Sequence, residues 1–141
     1  MLLYDFCLVI LFILFIPKLL YQKWRYGKYK HFFKNRFGSA FYSIQQDGRE
    51  LIWIHAVSVG ETKAVAALAK KIKAERPDCL LLVTSITETG HEEALRSMPF
   101  ADHHLYLPID LSFIIRPIVK RLKPNYVILS ETDLWYHFLD Q

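Results

Sequence analysis

Leu51-Ile52-Trp53-Ile54-His55-Ala56-Val57-Ser58-Val59-Gly60-Glu61 is the stretch on which the fold turns. It opens as a β-rich apolar run and closes on small residues, a glycine and an acid. A helical pattern follows at once. Val65, Leu68, Ala69 and Ile72 fall at i, i+3, i+4 and i+7 over Glu61–Glu75, and Pro77 ends the segment. A strand feeding directly into a helix is the repeating unit of a parallel sheet.

Downstream the pattern recurs. Leu80–Thr84, His104–Leu107 and Tyr126–Ser130 read as further strands. Between them Gly90–Met98 reads as a short helix, and Leu111–Leu122 as a helix that Pro117 is expected to kink or delay. Apolar strands separated by helices predict an α/β fold, a parallel sheet with helices on its faces. Upstream, the polar stretch Gln45–Glu50 carries the turn signal Asp47-Gly48 and marks a domain boundary, so the α/β domain is expected over 51–141.

The N-terminus is different in kind. Phe6 to Ile16 is wholly apolar, and flanking residues extend the run to about twenty, the length of a spanning helix. Asp5, Pro17 and Lys18 interrupt it, which leaves a helix lying in the membrane interface as the alternative. Residues 1–21 are therefore expected to form a membrane-anchor helix. No small-residue cleavage site follows, so a removed signal peptide is not expected. Residues 22–50 form a basic, aromatic segment with Lys23, Arg25, Lys28, Lys30, Lys34 and Arg36 among Trp24, Tyr26, Tyr29, Phe32, Phe33 and Phe37. Basic residues beside an apolar span mark the cytoplasmic side and attract anionic lipid. A solvated linker is the plainer reading.

Charge sharpens the contrast. Residues 1–50 hold eight Lys/Arg against three Asp/Glu, whereas 51–141 hold ten against eleven. The α/β domain is thus not a basic nucleic-acid binder. Cys7 and Cys79 have no ligand spacing and read as reduced thiols. The histidines have no metal-ligand spacing, and neither a dinucleotide nor a P-loop glycine fingerprint occurs.

In open parallel sheets ligands bind outside the carboxyl ends of the strands. Those ends lead into Ser58-Val59-Gly60-Glu61, Ser85–Gly90, Pro108-Ile109-Asp110 and Glu131-Thr132-Asp133, so hydroxyls and carboxylates are expected on one rim. Gly60 admits a ligand close to the backbone, and the N–H groups of the first helical turn can bind it. Glu61 fits a general base taking a proton from an attacking hydroxyl, although its spacing alone favours a carboxylate that complements the helix dipole. Thr89 fits a ligand contact or a helix cap. Glu131 and Asp133, two apart, fit sugar hydroxyls or a solvated loop. His55 reads as a satisfied inner residue.

Four stretches together resemble the Kdo (3-deoxy-D-manno-octulosonic acid) transferases. They are Trp53–Glu61, the threonine-rich Thr84–Gly90, Tyr106-Leu107-Pro108-Ile109-Asp110, and Glu131-Thr132-Asp133-Leu134-Trp135. The resemblance implies a Rossmann-like parallel sheet forming the N-terminal half of a GT-B glycosyltransferase. It implies an inner-membrane protein with its globular domain on the cytoplasmic side. It implies transfer of Kdo from CMP-Kdo to a lipid A precursor, with no cofactor. Glu61 would be the base, and Ser58, Gly60, Thr89, Gly90 and Glu131 would line the acceptor side. After Trp135 the family pattern continues Pro-Asn, whereas Tyr136-His137 stands here. The donor-binding half is expected to lie outside these 141 residues, so the chain alone is not expected to turn over. The alternative is a non-enzymatic, membrane-anchored glycolipid-binding module left by truncation.

Overall fold

The computed structural model describes residues 2–26, 36–131 and 135–140. Helix α1 (Leu2–Tyr26) is followed by a short 3-10 turn (Ser39–Ser43). Then come β1 (Leu51–His55), α2 (Val59–Glu75), β2 (Leu80–Ser85), α3 (Glu88–Ser97), β3 (His103–Tyr106), α4 (Ser112–Leu122), β4 (Tyr126–Leu129) and α5 (Tyr136–Leu139). The four strands form one sheet in the order β3-β2-β1-β4, and every pairing is parallel. The alternation of strand and helix expected from the sequence is present.

Period-two alternation sorts the central strands between two cores. Leu51, Trp53, Leu80 and Leu82 face Ile114, Ile115, Ile118 and Leu122 of α4 and Phe138 of α5. Ile52, Ile54, Leu81 and Val83 face Val65 and Ala69 of α2 and Ala94 of α3, with Met98 beside them. Helices thus cover both faces, as a fully buried parallel pair demands. The first core also takes in Phe41 and Ile44, so the packed unit includes chain ahead of residue 51.

Three local expectations change. Leu68 is exposed, and the buried stripe of α2 is Thr62, Val65 and Ala69. Helix α4 runs unbroken through Pro117. A proline there removes one backbone hydrogen bond and crowds the preceding turn. The apolar side chains on both sides of it hold the helix together: Ile114, Ile115, Ile118 and Val119 are all buried. Helix α5 had no signal in the sequence, being a single turn.

Helix α1 extends past the expected anchor to Tyr26, with Pro17 inside it. Among the described residues no helix is long and apolar enough to cross a membrane. Lys28, Lys30 and Lys34 of the basic segment lie outside the described residues.

Candidate functional site

The strand order sets the location. β1, β2 and β3 progress in one direction, and β4 then returns to the opposite side of β1. The chain therefore leaves β1 and β4 toward opposite faces of the sheet. A crevice opens at such a topological switch point, outside the carboxyl ends of the two strands. Ser58, Gly60 and Glu61 follow β1, and Ser130 and Glu131 follow β4, so the sequence candidates stand at the switch point. The other rim of the sheet is consumed by structure. There Arg76 pairs with Glu50 at 2.8 Å, Lys73 with Asp102 at 2.9 Å, and Arg49 with Asp102 at 3.4 Å.

Ser58 is the N-cap of α2, and its Oγ accepts the Glu61 N–H at 3.4 Å. The Glu61 side chain folds back so that Oε2 accepts the Val57 N–H at 2.8 Å. The pair resembles a capping box, with the acid reaching one residue further back. This arrangement fixes the carboxylate at the mouth of the helix. One oxygen is engaged there, and a carboxylate has two. Gly60 is exposed between them, and a Cβ built on it would meet only Ser58 Oγ, at 4.0 Å. The space over the first turn is open.

The β2–α3 turn is stitched to the same place. Thr87 Oγ1 donates to Val57 O at 2.8 Å and accepts the Gly90 N–H at 3.1 Å. Thr87, not Thr89, is the cap of α3. Thr89 stands exposed in the first turn and lines a shallow cleft with Val59, Glu92, Glu93 and Arg96. Gly90 is buried for a steric reason: a Cβ there would lie 2.8 Å from both Val57 O and Thr87 Oγ1. From the third side Ser130 Oγ donates to Glu61 O at 3.4 Å. Glu131 is exposed just beyond. Thr132, Asp133 and Leu134 lie outside the described residues, so the expected Glu131–Asp133 pairing does too.

Beneath the rim is a polar pivot that sequence reasoning missed. Thr84 Oγ1 accepts the Trp53 indole N–H at 2.8 Å and lies 3.0 Å from His55 Nδ1. His55 is buried, as expected of an inner residue. A threonine within an apolar strand was the available signal.

Asp110 departs from the expected rim. It is buried, and its carboxylate accepts the backbone N–H groups of His137 (3.0 Å) and Phe138 (2.9 Å) and the Tyr4 hydroxyl (2.9 Å). Burial raises its pKa above the usual carboxylate value despite these donors. It organises α5 rather than facing a ligand.

The arrangement brings together a fixed carboxylate, Ser58, Thr87, Ser130 and the open backbone at Gly60, while Thr89 lines the shallow cleft between α2 and α3. Among the described residues no cluster of three or more His, Cys, Asp or Glu could hold a metal ion. The fold is an α/β domain built on a parallel sheet, with the candidate site at its switch point. Comparison with known proteins narrows the class. The family model described as 3-deoxy-D-manno-octulosonic-acid transferase matches residues 31–141. A protein of that name from Chlamydophila psittaci is 37% identical over 99% of this chain, and one from Chlamydia muridarum 41% over 97%. One from Haemophilus influenzae is 34% identical over 64%. The chain belongs to the Kdo transferase family. It spans about a third of the length of the chlamydial relatives, 32% in each case.

Proposed function

We propose that this chain is the acceptor-binding part of a GT-B enzyme that transfers Kdo from CMP-Kdo to a lipid A precursor. The switch-point crevice is the observation that carries the reading, with Glu61 fixed at its mouth and clear space over Gly60. An acceptor hydroxyl entering over Gly60 comes up to Ser58 Oγ and to the carboxylate fixed at the helix mouth. Glu61 takes the proton as the hydroxyl oxygen attacks the anomeric carbon of Kdo and CMP departs. Ser58 and Thr89 supply hydroxyls to the sugar, and Glu131 accepts from its far side. Gly90 acts indirectly, by letting the two turns close together. The donor is held by the portion of the full-length protein beyond these residues.

The same reading places the domain on the cytoplasmic face of the inner membrane. Helix α1 and the basic residues after it contact lipid, and the acceptor is itself a lipid. Support comes from the exposed apolar side chains of α1, Leu3, Phe6, Leu11, Ile13 and Leu14 among them. Binding of the intact chain to lipid A precursor and to CMP tests the assignment of halves. A saturable response to the lipid with weak or no response to CMP is expected. Tight CMP binding without a lipid response would overturn it.

A further inference from the structure

The first turn of α1 is bonded to the α/β domain. Asp5 accepts from the Ser112 backbone N–H at 3.0 Å and from its hydroxyl at 2.7 Å, and lies 2.8 Å from His137 Nε2. Tyr4 donates to buried Asp110, and its ring stands edge-on to that of His137, 5.1 Å between centroids. Helix α4 has no side-chain cap of its own at Leu111. Asp5 supplies one, placing an acid at a helix N-terminus where the dipole favours it. The acid that interrupts the apolar run is therefore the clasp that fastens it.

The chain after α1 returns to the same loop. Arg36 is buried, and its carbonyl accepts the Ile109 N–H at 3.0 Å. Entry at Ser112 and exit at Ile109 are three residues apart in the domain.

We infer that α1 is an in-plane membrane helix, with both its ends on the cytoplasmic side and its N-terminus clasped to the domain, rather than a span that carries the N-terminus across. Asp5 to Tyr26 covers about 32 Å of helix, close to the roughly 30 Å hydrocarbon core. A span with the domain in the cytoplasm would put Asp5 beyond the far side of that core from Ser112. A deep hairpin that kept the clasp closed would have to return from Tyr26 to Arg36, a reach of at most about 36 Å. It would carry Lys28, Lys30 and Lys34 through hydrocarbon, which excludes unpaired charge. Lying in the interface satisfies every constraint. The apolar side chains exposed on α1 enter the acyl boundary, while Lys18 and Arg25 reach the headgroups of an anionic leaflet. The clasp then fixes the rim of the sheet at the height of the bilayer surface.

This inference rests on the membrane reading above, and the test separates the two. Cys7 is replaced by serine, Cys79 is buried, and a short polar Gly-Ser-Cys tag ahead of Met1 supplies the single accessible cysteine, outside the acyl layer whichever way α1 lies. Intact chain in bacterial inner membranes is treated with a membrane-impermeant maleimide, in spheroplasts and in inverted vesicles. Labelling in inverted vesicles alone is expected. Labelling in spheroplasts, or protection on both sides until detergent is added, overturns the in-plane helix and leaves membrane attachment standing. Recovery of the protein in the soluble fraction at low salt overturns both.

Discussion

Gly90→Ala isolates the contact that brings the two glycine-bearing turns together. The added Cβ would sit 2.8 Å from Val57 O and from Thr87 Oγ1. Neither neighbour is free to give way. Val57 follows β1 and holds Glu61 through its N–H, while Thr87 is bonded to both Val57 O and Gly90 N. Overpacking of this kind costs about 1–3 kcal/mol. Alanine's better helix propensity offsets at most about 1 kcal/mol of it. For a packed unit of this size, each kcal/mol moves the midpoint by roughly 4 °C. A net loss of about 1–2 kcal/mol, or roughly 4–8 °C, is expected in a thermal melt followed by circular dichroism. Acceptor binding should fall as well, because the turn carrying Thr89 is pushed off the turn carrying Glu61. A Gly90→Ala protein that melts with the parent and binds acceptor normally would refute the steric role of this glycine.

Gly60→Ala should do the opposite to stability. Its Cβ meets nothing closer than 4.0 Å, so the fold should be unchanged or gain up to about 1 kcal/mol, while acceptor affinity drops. Unchanged affinity would remove Gly60 from the site. Mild acid should weaken the fold through its histidines. Burial, chiefly, holds the imidazoles of His91, His103 and His104 below their usual pKa. The unfolded chain then binds protons more readily than the folded one. The stability that these groups contribute is full above the unfolded value of about 6.5, starts to decline there and is lost as pH falls on through their folded values. The urea midpoint should be lower at pH 6 than at pH 7.5, and an equal or higher midpoint at pH 6 would contradict this. At lower pH Asp102 adds to the loss. Burial alone would raise its pKa, but the Leu81 N–H, Lys73 and Arg49 hold it below the usual carboxylate value. Its contribution is present above the unfolded value and disappears as pH falls through the folded one, so the midpoint should drop again below about pH 4.

The alternating pattern exposed the sheet because strand and helix periods differ and both central strands are buried. Trp53 and Ile54 face opposite cores, yet the run around them is apolar throughout, as a two-sided strand must be. The carboxyl end of that strand runs straight into Ser58, Gly60 and Glu61 in the sequence. Thr89 illustrates the limit. Two threonines stand near one helix start, and only the backbone geometry decides that Thr87 is the cap. Asp110 and Asp5 were illegible for a different reason. The partners of Asp5 lie 107 and 132 residues away in sequence, those of Asp110 lie 27, 28 and 106 away, and no local pattern encodes such contacts. Asp5 looked like a flaw in an apolar helix because the helix it caps was nowhere near it in the chain.

The sharpest test of Glu61 as the base is Glu61→Gln in the full-length protein. The substitution keeps the shape and the acceptor oxygen that bonds Val57 N–H, and it removes only the basicity. Transfer of Kdo from CMP-Kdo to lipid A precursor should fall by about 10²–10⁴, the usual contribution of a positioned general base. The melting midpoint and acceptor binding should stay near those of the parent. A carboxylate that served only the α2 dipole would behave oppositely, costing about 0.3–1 kcal/mol of stability and leaving the chemistry intact. Near-parental transfer by the Glu61→Gln protein, with a lowered midpoint, would contradict the general-base role and move the search for the base to Glu131.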